Sequence, residues 1–462
     1  MRIWLAALAG LTVLRLILAA SLPLSPDETY YFLWSQHLQA GYFDHPPMIA
    51  FFIRTGTFLF GNTSLGIRFM GPVCAGIGSI LLWDAGEQLF PHRHAGLIAA
   101  ALLNATLMIG AGAILITPDT PLLFFWTAAL AALVRLITSN NPRWWLAAGL
   151  ATGLALLSKY TATLLIAAIF IWLVTTPEGR AQLRTLWPWA AILLAFLIFA
   201  PNIYWNAAHH WVSYLKQGSR ITAFDAARSL QFLAEFVLGQ IALATPFIFG
   251  LAAFGLWRLG DTHTAPAHLL VWLTVVPGVV FLEHVLSDRV QGNWAAIMYP
   301  SACLAAASLP MATLRRWLNP ALGLGFFISA MAYAQALAAP FDLPIRADTT
   351  ALQLSGWPAF GLGASASAPA FLTSDDYATT AALAYYAPKT TPVAGFSPRW
   401  DLFSAQPAHL KGVTGILVTR RTDTPCPILL GTVIRKRGNT EIAAYRLCRY
   451  VAPAQGVLLS RP

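Results

Sequence analysis

Apolar residues in this chain come in long uninterrupted runs rather than alternating with polar ones. No Asp, Glu, Lys or Arg occurs in residues 95–118, 160–177, 185–208, 236–257, 264–282, 290–314 or 317–341. Each run approaches or exceeds the roughly 20 residues that an α-helix needs to cross a hydrocarbon core. Shorter apolar runs at 3–22, 69–83, 120–134 and 144–158 fit between them. A buried helix of a soluble domain accounts for one such run, not for the whole series. The pattern predicts an α-helical polytopic membrane protein of about eleven transmembrane helices. Met1–Ser25 begins like a secretory leader, but Arg15 interrupts its apolar stretch and no small-x-small cleavage site follows. It reads as a retained first helix.

The texture changes at Pro340. Beyond it, short apolar runs (Ala370–Thr373, Gly415–Val418, Ile428–Val433, Ile442–Leu447) alternate with Pro, Gly and charged residues, and Asp376–Tyr386 has helical character. The expected division is a transmembrane domain over 1–339, with a first loop at 23–65, and a small α/β domain over 340–462. That tail is long enough for a modest core.

Composition sharpens the class. The chain is 57% hydrophobic and 10% charged, whereas soluble domains carry about 25% charged residues. The net charge of +10 would suggest nucleic acid in a soluble protein. Here Arg93, Arg135, Arg143, Arg180, Arg184, Arg258, Arg315 and Arg316 sit in short loops between apolar runs, with only Glu178 and Asp261 as acids. This is the positive-inside pattern, and no nucleic-acid partner is expected. It places the N-terminus and these loops in the cytoplasm. The loops at 23–65, 114–119, 207–230 and 286–293, the turn at Ser158-Lys159 and the tail fall on the opposite, periplasmic side. From Pro340 the tail holds 12 Lys and Arg against 7 Asp and Glu. That excess suits anionic head groups or phosphorylated glycolipid, and equally an ordinary basic soluble face. Cys74 and Cys303 lie in apolar runs and read as inert core residues. Cys426 and Cys448 lie in the tail and are candidates for a disulfide in an oxidising compartment. No Cys/His spacing marks a metal site. A divalent cation remains compatible but is not indicated, and there is no nucleotide-binding glycine motif.

Candidate chemistry concentrates on the outer side. Ser25-Pro26-Asp27-Glu28-Thr29-Tyr30 follows the first run directly. Paired acids at a membrane edge can be poised as a general base. The same residues also fit a helix cap, with Ser25 or Asp27 at the N-cap and Pro26 in the first turn. Asp44-His45-Pro46-Pro47 fixes the backbone around a histidine that can donate to an anion, or forms a plain interfacial turn. Asp119 sits between prolines at the head of an apolar run. Lys159 is a lone cation in a tight turn, either snorkelling or binding phosphate. Arg220 and Arg289 are further outer cations, the latter just before Gly292-Asn293-Trp294.

These motifs resemble the bacterial polyprenyl-phosphate-sugar glycosyltransferases of the GT-C class, relatives of protein O-mannosyltransferases and of the aminoarabinose transferase that modifies lipid A. The matching stretches are Pro26-Asp27-Glu28-Thr29, Tyr42-Phe43-Asp44-His45-Pro46-Pro47, Thr117-Pro118-Asp119-Thr120-Pro121, Leu157-Ser158-Lys159-Tyr160 and Gly292-Asn293-Trp294. In the tail, Leu372-Thr373-Ser374-Asp375 and Trp400-Asp401-Leu402 look similar. The resemblance implies an inverting glycosyltransferase of the inner membrane. It would take a sugar from an undecaprenyl-phosphate carrier to an envelope glycolipid, or alternatively to protein. A lipid-linked-sugar flippase would more often carry its charges within the spans. A surface-polysaccharide polymerase would lack the Asp-Glu and His-Pro-Pro motifs. By position, Asp27, Glu28 and Asp119 are the catalytic acids. His45, Lys159, Arg220 and Arg289 are candidates for the donor phosphate, and Tyr30, Asp44, Asn293 and Trp294 for the substrate cavity. The aminoarabinose enzymes carry Lys before the paired prolines, where this chain has His45.

Overall fold

The computed structural model describes residues 2–91, 93–218, 226–402, 407–453 and 456–459. It divides into two compact units. One holds residues up to Arg15, Asp44–Ile49 and Gly71–Met331; the other holds Leu16–Phe43, Ala50–Met70 and the chain from Ala332 onward. The second unit therefore includes more than the tail, because parts of the first loop region group with it.

Helix follows from the apolar runs because a backbone in hydrocarbon has to satisfy its own hydrogen bonds. Among the described residues, six helices are long and apolar enough to cross a membrane: Arg2–Ser21, Ser64–Leu89, Asp119–Ser139, Trp187–Ala208, Ala265–His284 and Met311–Ala338. Three bent pairs, each counted as one span, raise this to nine. All the apolar runs seen in the sequence carry helix, but Trp144–Leu156 has only 13 residues and Tyr299–Ala307 only 9. At about 1.5 Å per residue these fall short of the core thickness. The chain is a multi-pass membrane protein.

In the helical unit, Trp144–Leu156 packs closely on Trp187–Ala208. A Cβ at Gly149 would lie 2.5 Å from the Ala191 carbonyl oxygen, so small residues set this approach. The opposite flank of Trp187–Ala208 presents Ile192, Leu193, Phe196 and Leu197, all exposed, as a lipid-facing surface would.

Each bent pair breaks at a threonine. Ala95–Ala105 and the following Leu107–Ile114 segment meet at 74° around Thr106, Tyr160–Thr175 and Pro177–Leu183 at 106° around Thr176, and Ala227–Ala244 and Pro246–Gly260 at 101° around Thr245. Thr106 Oγ1 accepts from Ile109 N and Thr176 Oγ1 from Gly179 N, so each caps the helix that follows. Thr245 has φ 69°, and Pro246 opens the next helix. The apolar run at 236–257 is thus two helices rather than one. Fully buried Arg15 serves the first break: its guanidinium donates to Asn104 Oδ1 at 2.8 Å and to the Ile109 carbonyl at 3.0 Å. The charge that interrupts the first apolar run is satisfied by groups that the bend exposes.

The second unit carries two small sheets. Among the described residues the strands are β1 (Leu372–Thr373), β2 (Ala394–Gly395), β3 (Pro407–Ala408), β4 (Thr414–Thr419), β5 (Leu429–Arg437), β6 (Thr440–Val451) and β7 (Gly456–Leu458). The larger sheet runs β1-β4-β6-β5 and the smaller β2-β7-β3. β1 is parallel to β4, and the other pairs are antiparallel. Helix Tyr377–Tyr386 packs on helix Pro26–Gln36, with Phe32 edge-on to Tyr385 at 5.5 Å. Cys426 and Cys448 are joined in a disulfide that ties the loop before β5 to β6.

At the start of this unit, Asp348 gathers hydrogen bonds from Thr350, the Ala351 amide, Gln335 and Arg437. Burial alone pushes its carboxyl upward, but these donors and the Arg437 charge hold it below the usual carboxylate range. A carboxyl with a depressed folded pKa stabilises the fold above its unfolded pKa of about 3.9 and loses that contribution as pH falls through the lower folded value. Asp348→Asn is therefore expected to flatten the fall in melting temperature below about pH 4, measured by differential scanning fluorimetry in detergent.

Candidate active site

In the helical unit, four residues from distant segments converge. Asp119 opens helix Asp119–Ser139 behind the Pro118 N-cap. Lys159 is extended, with φ −160°, in the break after Trp144–Leu156. Its Nζ lies 2.7 Å from Asp119 Oδ1, both side chains being nearly buried. Asn293 Nδ2 donates to Asp119 Oδ2 at 2.7 Å, and the Lys159 ammonium stands 5.1 Å over the Trp294 ring. Asp119 is thereby paired and held, with both carboxylate oxygens hydrogen-bonded.

A cavity of about 260 Å³ adjoins this cluster, lined by His45, Lys159, Tyr160, Gln217, His284 and Trp294 among others. The His45 segment is fixed on both sides. Gln217 donates to the Asp44 carbonyl at 2.7 Å, and the Met48 amide donates to the Leu157 carbonyl at 2.9 Å. His284 closes helix Ala265–His284, and its buried Nε2 has no hydrogen-bond partner among the described residues. Three groups able to carry positive charge, with amide and phenol donors beside them, make this cavity suited to a phosphate. Nothing in the sequence pointed to His284, which lies at the end of an otherwise apolar run. Arg289 is elsewhere: it pairs with Glu235 at 2.7 Å with its side chain 68% exposed and does not line the cavity. Arg220 lies outside the described residues. No group of three or more His, Cys, Asp or Glu able to hold a metal ion occurs among the described residues.

The second unit holds the first-loop acids, and their roles separate. Ser25 caps helix Pro26–Gln36: its Oγ accepts from the Glu28 amide while Glu28 Oε2 accepts from the Ser25 amide at 2.9 Å, a capping box. Fully buried Glu28 also takes both arms of Arg68, Nε to Oε1 and Nη2 to Oε2, each at 2.7 Å. Arg68 spends its other donors on the carbonyls of Ala19, Leu22 and Pro23. Glu28 is thus committed to structure. Asp27 accepts from the Tyr377 hydroxyl at 3.0 Å and lines a polar cavity of about 540 Å³ with Asp375, Asp376, Arg420, Arg421 and Arg435. Tyr30 is buried beneath an aromatic cluster, edge-on to Tyr377 at 4.8 Å and to Trp400 at 5.6 Å. The Arg399 guanidinium stacks over Tyr377 at 4.0 Å and Phe43 at 5.0 Å. Tyr377 and Arg399 are tail residues that sequence reasoning missed.

The chain shares its fold with ArnT from Cupriavidus metallidurans, in crystal structures of the apo state and of the complex with undecaprenyl phosphate. The TM-scores are 0.67 and 0.66 at 14% identity, with 96% of this chain and 97% of ArnT covered. The family model for dolichyl-phosphate-mannose-protein mannosyltransferases matches residues 44–205. The lipid A galacturonosyltransferase RgtD of Rhizobium johnstonii is 26% identical over 285 residues, 61% of this chain and 60% of the relative. An undecaprenyl phosphate-α-4-amino-4-deoxy-L-arabinose arabinosyl transferase of Sodalis glossinidius is 27% identical over 339 residues, 66% of this chain and 58% of the relative. In fold and in sequence the chain is similar to the GT-C glycosyltransferases. It spans about 60% of the length of the curated relatives it matches.

The two adjacent first-loop acids differ in what surrounds them. Removing Glu28 strands a buried arginine, so Glu28→Ala is expected to cost about 3–5 kcal/mol of stability. Asp27→Asn retains an acceptor for Tyr377 and should change stability by no more than about 1 kcal/mol. Thermal unfolding of the purified variants in detergent checks both.

Proposed function

We propose that this GT-C chain transfers a sugar from an undecaprenyl-phosphate carrier to an envelope glycolipid, with inversion at the anomeric carbon. The observation that carries this reading is the cavity bounded by His45, Lys159 and His284. A polyprenyl phosphate leaves only when its developing charge is stabilised, and fixed cations and donors do this best where water is excluded. Lys159, aligned by Asp119 and Trp294, supplies the permanent charge. His45 and His284 add ring nitrogens able to donate to the phosphate oxygens.

Asp27 is the general base. It takes the proton of the acceptor hydroxyl while that oxygen bonds to the anomeric carbon. The bond from that carbon to the phosphate oxygen breaks, and the carrier phosphate keeps the electron pair. Glu28 acts indirectly, by fixing the turn that presents Asp27.

Glycolipid is the favoured acceptor because RgtD, a lipid A galacturonosyltransferase, is among the relatives. The match to the protein-mannosyltransferase model supports protein as the second reading. In the proposed topology the chain lies in the bacterial inner membrane with about eleven spans, its N-terminus cytoplasmic and the tail domain periplasmic.

Asp27→Asn should reduce transfer by at least about 100-fold while carrier binding persists; turnover near that of the parent would remove Asp27 from the reaction. His45→Ala and His284→Ala should each raise KM for the carrier more than KM for the acceptor, in assays varying one substrate at a time. A reporter enzyme fused after Pro462 should be active only on the periplasmic side, and cytoplasmic activity would reverse the proposed topology.

A further inference from the structure

The largest cavity among those described in the tail, about 690 Å³, shares Ser374 and Asp375 with the polar cavity but none of its arginines, and has a different character. Its lining combines the aromatic residues Tyr377, Phe396, Tyr450 and buried Trp400 with the polar residues Ser374, Asp375, Ser397 and Arg449. We propose that this cavity is a saccharide-binding subsite that holds the sugar portion of a glycolipid acceptor. The inference rests on the glycosyltransferase reading above and deepens it.

Aromatic faces together with hydroxyl-bonding groups match a pyranose, which has apolar C–H faces and a polar equator. The volume falls within the range of small-ligand sites and exceeds what one monosaccharide needs. The walls are also fixed in advance. Asp375 Oδ2 accepts from Thr419 Oγ1 at 2.7 Å and from Thr424 Oγ1, and the disulfide from Cys426 to Cys448 tethers the same loop two residues further on. A rigid loop lowers the ordering cost of binding.

Two observations select a glycolipid. Tyr377 lines the cavity and its hydroxyl donates to Asp27 at 3.0 Å, so a sugar against Tyr377 adjoins the proposed base. At the cavity edge, Ile428, Leu429 and Leu430 are 46%, 57% and 53% exposed in succession. Three consecutive exposed aliphatic side chains suit acyl chains or a membrane surface, and a free sugar has no use for them.

The test uses the full chain in detergent with two probes, soluble N,N′-diacetylchitobiose and lipid A in micelles. Hydrogen exchange at 371–377, 396–400 and 447–451 should slow with the disaccharide, and Asp27→Asn should keep that protection. Phe396→Ala and Arg449→Ala should abolish it and raise KM for lipid A about tenfold, without a matching rise in KM for the carrier. Circular dichroism and melting temperature check that both variants fold; Arg449→Gln, at an exposed position, serves if Phe396→Ala does not. Transfer to lipid A with an acceptor KM unmoved by the Arg449 variants, or absence of protection by either probe, overturns the subsite while the transferase reading stands. Protection at these segments without transfer from any polyprenyl-phosphate sugar supports the subsite and overturns the transferase reading.

Discussion

Charge withdrawn from water has to be paired or hydrogen-bonded, and the fold of this chain is organised around that constraint. Arg15 is buried among helices and spends its donors on an amide side chain and on a carbonyl at a helix break. Arg68 and Glu28 form a fully buried bidentate pair. Lys159 and Asp119 form a nearly buried pair through one carboxylate oxygen at the edge of a cavity. Each pair joins segments far apart in sequence, so the cost of burying ions is converted into a requirement for one arrangement of the chain.

The same constraint separates structural from reactive charge. Glu28 has both oxygens filled by Arg68 and the Ser25 amide, and nothing remains for a substrate. Its neighbour Asp27 meets a tyrosine hydroxyl and a polar cavity. Asp119 is an intermediate case: it is filled by Lys159 and Asn293 but fixes the lysine that lines the phosphate-sized cavity. Residues of one chemical type, each readable from sequence as an acid near a membrane edge, thus differ in how far the protein itself fills them.

The helix breaks extend this logic to the backbone. A helix interrupted at membrane depth frees amides and carbonyls that lipid cannot bond. Thr106 and Thr176 return side-chain acceptors to those amides, and Arg15 returns donors to a carbonyl. At the first two bends, polar side chains thus enter the helical unit and bond the freed backbone groups.

Much of this was legible in the chain itself. Hydropathy is a one-dimensional signal, because lipid as a solvent sorts each segment by its own composition, so the runs at 3–22 and 264–282 correspond to helices within a residue or two. The Ser25-to-Glu28 cap is equally local and readable as a spacing. The His-Pro-Pro loop and Lys159 were visible as oddities, and the structure brings both to one cavity. What sequence could not decide depends on contacts between distant segments. Asn293 reaches Asp119 across 174 residues, Tyr377 reaches Asp27 across 350, and His284 looked like the polar end of an apolar helix. Arg289 had the right charge on the expected side but points to solvent. Local composition determined which segments are helical and where polar residues gather; only the packing of those segments decided which charges are neutralised and which remain available, because pairing in a low-dielectric interior depends on distances of a few ångströms.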